Sequence, residues 1–245
     1  MTIMLVTAIG HVVAAALSGD TVTTDMAPRV IHFSGFDWVV KSSEQPVGPG
    51  PNLFSDSSDS VWVDAAGQLH MRIVQKDGRW WCAEVICMCR ASFGTYRFQL
   101  PAGGVRDLDA NAVAGLFTWG DAPGDADHEI DIEVSRWGQA NRANAQFVVQ
   151  PSEPLDHISR FDLDADTAHD LAFTWLPGRV LFSALNSATQ TTLHGFEVRR
   201  QVPRAGGNPR LNLWLVGGRE PVGHAEAHLV VRSFAFEPDA TPGNP

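Results

Sequence analysis

Apolar and polar side chains alternate along this chain in short runs, broken by glycine, proline and other turn-forming residues. Val61-Trp62-Val63 leads through Asp64-Ala65-Ala66-Gly67 into Leu69-His70-Met71-Arg72-Ile73, a hairpin pattern of period two. Lys76-Asp77-Gly78 supplies the next turn, ahead of an extended run over 80–85. A first strand is expected over 30–40, followed by a Pro/Gly/Ser-rich connection over 45–60. Further strands are expected at 93–100, 112–119, 128–135 and 142–149, then at 169–176, 179–185, 190–198, 209–216 and 226–236. The pattern contains neither a helical period nor a repeat. So many short strands bury their apolar faces most simply as a two-sheet antiparallel sandwich.

Composition narrows the picture. A chain of 245 residues, 44% hydrophobic and 19% charged, suits one sizeable domain, set here at 30–237, with a loose tail over 238–245. Its 22 glycines and 15 prolines are spread throughout, as many turns require. A formal charge of −10 with no basic cluster argues against nucleic acid as a partner. Residues 3–17 form an apolar run followed by small residues, resembling a secretory signal, although a charged leader is missing and His11 interrupts the run. Residues 1–19 are therefore set apart as a signal or a disordered extension, and the protein is expected to be secreted or periplasmic. No other segment is apolar enough to span a membrane. Cys82, Cys87 and Cys89 are an odd count, and without a nearby His or fourth Cys they make a poor zinc site. Reduced, half-buried thiols are expected, with a bridge from Cys82 to Cys87 or Cys89 as the alternative in an exported protein.

The chemistry is concentrated in Glu129-Ile130-Asp131-Ile132-Glu133. In a strand the three acids project from one face and the two isoleucines from the other. Like charges in a row have no structural use in a sheet. Alternate residues lie about 6.6 Å apart, so the outer two backbones are about 13 Å apart. Two glutamates leaning together can narrow that to the roughly 5–5.5 Å of a retaining glycosidase pair. Crowding raises the pKa of at least one carboxyl. Calcium is the competing explanation, but calcium ligands usually come from a loop that wraps the ion. His128 should lie on the face opposite the acids.

Beyond this pentapeptide the chain resembles glycoside hydrolase family 16, the β-jelly-roll, concanavalin A-like enzymes that include lichenases, laminarinases and xyloglucan transglycosylases. The defining motif there is Glu-aliphatic-Asp-aliphatic-Glu. Phe93-Gly94-Thr95-Tyr96-Arg97-Phe98, Gly115-Leu116-Phe117-Thr118-Trp119, Asn144-Ala145-Gln146-Phe147, the segment over 171–178 and Leu211-Asn212-Leu213-Trp214 follow the family's order. The resemblance implies a jelly roll with an open cleft and a monomer that cleaves a β-linked, glucan-type polysaccharide with retention. It implies Glu129 as nucleophile, Glu133 as general acid/base and Asp131 as tuner of the pair. Glu84, Phe117, Trp119, Gln146, Asn212 and Trp214 would then line the cleft. Aromatic faces stack on sugars, and amides bond hydroxyls. No cofactor or catalytic metal is implied, and a structural calcium is left open. Asp127 and His128 replace an aromatic and an acid of lichenases, Ile86 replaces an arginine and Ser55 an asparagine. The acidic composition favours a neutral glucan over sulfated or uronate chains unless arginines gather locally. On residues alone Glu84 reads as an ordinary surface acid. A lectin-like sandwich and a transglycosylase remain the competing functions.

Overall fold

A computed structural model describes residues 27–89, 91–120, 129–152, 155–204 and 206–239. In chain order its strands are β1 (Val30–Phe33), β2 (Phe36–Val40), β3 (Ser43–Val47), β4 (Asn52–Phe54), β5 (Val61–Val63), β6 (Leu69–Lys76), β7 (Arg79–Cys87), β8 (Gly94–Leu100) and β9 (Ala112–Trp119). They continue as β10 (Ile130–Ser135), β11 (Ala145–Val149), β12 (Ile158–Phe161), β13 (His169–Leu176), β14 (Arg179–Asn186), β15 (Thr192–Val198), β16 (Asn208–Leu215), β17 (Ala227–Val231) and β18 (Ser233–Pro238). Two single-turn 3-10 helices, Leu155–His157 and Val216–Gly218, are the helical elements among the described residues.

The strands form the expected two-sheet, all-β jelly roll. One sheet runs β1-β2-β7-β16-β9-β10-β11-β12, with β3, β4, β5, β6 and β17 attached through β7, and the other runs β15-β14-β13-β8-β18. Pairing is antiparallel except where β4 runs parallel to β7. The core lies between the sheets. Phe147 on β11 stacks on Phe182 of β14 at 4.8 Å, and Trp38 on β2 meets Phe234 of β18 edge-on at 5.3 Å. Ile130, Ile132 and Val134 of β10 point into this core. The pleat therefore sends the intervening acids to the outer, concave side.

Several expectations need correction. The single strand over 30–40 is a hairpin, because Ser34 (φ 54°) and Gly35 (φ 82°) take successive left-handed conformations and pair Phe33 with Phe36. The connection over 45–60 contains part of β3 and all of β4. The strand over 226–236 breaks at Arg232, so β17 joins the first sheet and β18 the second. The pattern missed β12. Cys87 and Cys89 are bonded to each other and Cys82 is free. β7 ends at Cys87, and the turn beyond it brings the Cys87 and Cys89 Cα atoms to 5.2 Å, inside disulfide range. Burial in the core pushes the Cys82 thiol up to about 12. The signal-like segment, Asp127 and His128 lie outside the described residues.

Ile132→Ala should leave a cavity between the sheets and lower unfolding free energy by about 2–5 kcal/mol. The exposed Glu44→Ala should stay within about 0.5 kcal/mol of the parent in the same urea titration.

Candidate functional site

Strand register builds the site. Glu133 on β10 stands opposite Gln146 on β11 and Gly115 on β9; Gly115 stands opposite Asn212 on β16, and Asn212 opposite Glu84 on β7. Directly opposed residues share a face, so these five side-chain positions form one row across the concave surface. Two residues along each strand, Asp131, Phe117 and Arg210 form a second row. All of these except Gln146, together with Glu129, Trp119, Trp214, Lys41, Gly48 and Pro49, line a groove of about 440 Å3.

Of the residues expected from the sequence, Glu84, Phe117, Trp119, Asn212 and Trp214 line the groove with the three acids. Gln146 sits beside them and donates from Nε2 to Glu133 Oε2 at 2.5 Å. Trp214 packs edge-to-face on Trp137 at 5.8 Å. Gly115 is the gap that admits the amide of Asn212. A Cβ there would collide with Asn212 Oδ1, whereas the Gly115 N–H donates to that oxygen at 3.1 Å.

Glu84 is not the surface acid its sequence context indicated. It is 1% exposed, and accepts from Lys41 Nζ at 2.8 Å and Arg210 at 3.4 Å. Lys41 also donates to the Gly48 carbonyl at 2.7 Å and lies 4.1 Å above the Phe54 ring. Lys41 and Arg210 escaped the sequence reading because a long cation on a strand usually points to water. The one available signal was Arg210 two residues before Asn212, hence on its face. Arg210 stands directly opposite Ile86, and its side chain lines the groove. Ser55 is outside the groove, where its hydroxyl accepts from the Ser57 N–H at 3.2 Å.

Burial and mutual repulsion set the acidity of the trio. Burial, then the charge of Glu133, raises Glu129 to about 7, although a hydrogen bond from Asp131 and the charge of Arg210 oppose the rise. Asp131 is raised well above the carboxylate range, first by burial and then by both glutamates, and its proton is held in the bond to Glu129. Burial raises Glu133 to about 7 against the Gln146 hydrogen bond and the charge of Arg160. At neutral pH the groove thus holds carboxyl protons beside carboxylate charge. Among the described residues no group of three or more His, Cys, Asp or Glu could hold a metal.

Solved structures share this architecture. The β-glucanase of Bacillus licheniformis superposes with a TM-score of 0.64 at 17% identity, over 85% of this chain and 95% of that one. The fold is that of the bacterial β-glucanases. A lichenase from a mouse hindgut metagenome, described as a prokaryotic β-1,3-1,4-glucanase, gives a TM-score of 0.62 at 17% identity over 82% of this chain and 93% of its own. An immunostimulatory antigen and pseudo β-1,3-glucanase of Mycobacterium tuberculosis gives 0.64 at 19% over 82% and 91%. No protein-family model matches the sequence, and no curated protein matches it. Identities this low speak for the fold, and a pseudo-glucanase shares it, so activity must be argued from the side chains.

Two consequences are measurable. Glu129 and Glu133 carry raised folded-state pKa values, so between about pH 4.5 and 7 the native state binds more protons than the unfolded chain. Stability should therefore fall as pH rises through that window, and Glu133→Gln should flatten the fall in melting temperature. Gly115→Ala should expel the Asn212 amide and destabilise by about 1–3 kcal/mol in thermal or urea unfolding.

Proposed function

We propose that this protein is a retaining endo-glycosidase that cleaves a β-linked, glucan-type polysaccharide by double displacement. The reading rests on one observation above all: three carboxyls at alternate positions over 129–133, with Asp131 buried and Glu129 and Glu133 half-buried, gathered in an open groove with raised pKa values. In it Glu129 attacks the anomeric carbon. The proton on Asp131 remains in its bond to Glu129, which holds the nucleophile in place and lowers its pKa. Protonated Glu133 donates to the departing glycosidic oxygen. The same group, now a carboxylate, then takes a proton from water as it opens the glycosyl-enzyme. Gln146 orients Glu133 through its Nε2. Glu84 and Asn212 offer acceptors and donors on the other side of the trio, and Trp119 and Trp214 offer ring faces.

Residues 30–237 act as one catalytic domain in this reading. The protein works outside the cytoplasm, which the Cys87–Cys89 disulfide supports because such bonds persist in oxidising compartments. Hydrolysis and transglycosylation share every step except the second acceptor.

Reducing-end release from lichenan, laminarin and xyloglucan should fall by about 10²–10⁴-fold in Glu133→Gln, and at least as far in Glu129→Gln. Proton NMR should show the β anomer formed first. Activity should fall as pH rises past about 7, where Glu133 loses its proton. Full turnover in either variant would remove the assignment, and glycan binding with no cleavage by the wild type would make the protein a lectin-like relative of the fold.

A further inference from the structure

A second recess combines aromatic and polar side chains outside the groove. Trp62, Arg72, Asp107, Glu226 and His228 surround an open depression of about 350 Å3 on the outer side of β5, β6 and β17. None of these residues lines the groove. The volume lies within the roughly 300–1,000 Å3 of small-molecule sites.

Its wall is held in one arrangement by a chain of hydrogen bonds. Leu69, Met71, Ala227 and Leu229 point into the core, so the pleat sends His70, Arg72 and His228 outward. Register sets Trp62 opposite His70, and Arg72 opposite His228. Asp64, in the turn between β5 and β6, accepts from the Gln68 N–H at 2.8 Å and from His70 Nε2 at 3.1 Å. These two bonds, the first above all, bring its pKa down to about 2, so it is a carboxylate that only accepts. A neutral imidazole carries one proton, and in His70 that proton is on Nε2. His70 Nδ1 therefore accepts from His228 Nε2, 3.0 Å away. His228 Nδ1 is left as a lone pair with no partner among the described residues. Burial first, then repulsion from His70 and Arg72, lowers the His228 pKa, with Asp107 opposing. Trp62 lies across both imidazoles, its ring 4.7 Å from His70 and 5.7 Å from His228. The loop carrying Asp107 is tied to β17, where the Val230 N–H donates to the Gly104 carbonyl at 2.9 Å.

The chemistry of this recess selects among ligands. An anion would meet the carboxylates of Asp107 and Glu226, and the guanidinium of Arg72 is already paired with Glu226. A metal finds no group of three or more His, Cys, Asp or Glu among the described residues. An indole wall, a fixed acceptor nitrogen and a mixed rim of donors and acceptors suit a neutral polyhydroxylated ring.

We propose that Trp62, Arg72, Asp107, Glu226 and His228 form a second glycan-binding site, which takes a pyranose of the polysaccharide apart from the groove. The identity of the ligand rests on the glycosidase reading above. A second attachment point keeps the groove near its polymer and raises the effective concentration of cleavable bonds.

The test is native electrophoresis of the Glu129→Gln protein through gels containing lichenan, laminarin or xyloglucan. Adding Trp62→Ala should weaken the affinity read from retardation about tenfold in at least one gel, and so should adding Asp107→Ala with Glu226→Gln. Trp62→Ala combined with Trp214→Ala should abolish retardation, because both sites are then lost. In the otherwise unaltered chain, Trp62→Ala should leave turnover of a soluble tetrasaccharide at the wild-type rate. Retardation untouched by the substitutions around the depression, or no retardation of the Glu129→Gln protein in any gel, would overturn the site. A loss with Trp62→Ala that the carboxylate pair does not reproduce would mark a packing defect and overturn it as well. If Trp62→Ala fails to fold, Asp107→Ala with Glu226→Gln carries the comparison, since both side chains are exposed. Should the wild type release no reducing ends while these substitutions still lower retardation, the hydrolase reading falls and the second site stands.

Discussion

Holding three carboxyls side by side in one largely desolvated row is the constraint around which the rest of the groove is organised. Desolvation disfavours every one of them as an anion, and each charge disfavours the next. The protein does not remove the conflict by pairing each acid with a cation. It lets protons stay on the row, with Asp131 bonded to Glu129 and Gln146 bonded to Glu133. The isoleucines between the acids offset the cost, since Ile130 and Ile132 are fully buried between the sheets on the reverse of the same strand. One strand thus carries both the destabilising and the stabilising halves of the arrangement.

Charge is distributed unevenly around that row. Glu84 is more deeply buried than Asp131 or the half-buried Glu133, and is paired with Lys41 and Arg210, so it serves as a hydrogen-bonding wall. Arg210 reaches both ends of this logic, pairing with Glu84 and drawing down the pKa of Glu129. The amide of Asn212 fits only because position 115 has no side chain. Packing, charge and shape in the groove are therefore set by the same few cross-strand neighbours.

Much of this was legible in the sequence where a local pattern carried it. The alternation in Glu129–Glu133 gave the strand, its two faces and the acids that share the groove. The hairpin from Val61 to Ile73 was signalled by its own turn residues. Elsewhere local strength misled: Phe33 and Phe36 flank Ser34-Gly35 with two good strand formers, and their β-propensity concealed a reversal. Pro46, Pro49 and Pro51 likewise hid β3 and β4, which run through a segment that reads as pure loop. β12 is four residues long with Arg160 inside it, too short for a period to show. The roles of Glu84, Lys41 and Arg210 were invisible for another reason. The partners of Glu84 lie 43 and 126 residues away, and no window on the chain contains them.

That separation in sequence has a kinetic side. The row from Gln146 to Glu84 draws on β11, β10, β9, β16 and β7, and β16, which lies between β7 and β9, is made long after both. Until it inserts, β7 and β9 each present an unpaired edge, and the groove exists only as two unconnected banks. A nascent chain that has not yet yielded residues 208–215 thus exposes two sticky borders at the centre of its larger sheet. The interval before that closure is when neighbouring chains are best able to associate edge to edge, so crowding during synthesis is where this architecture is most vulnerable.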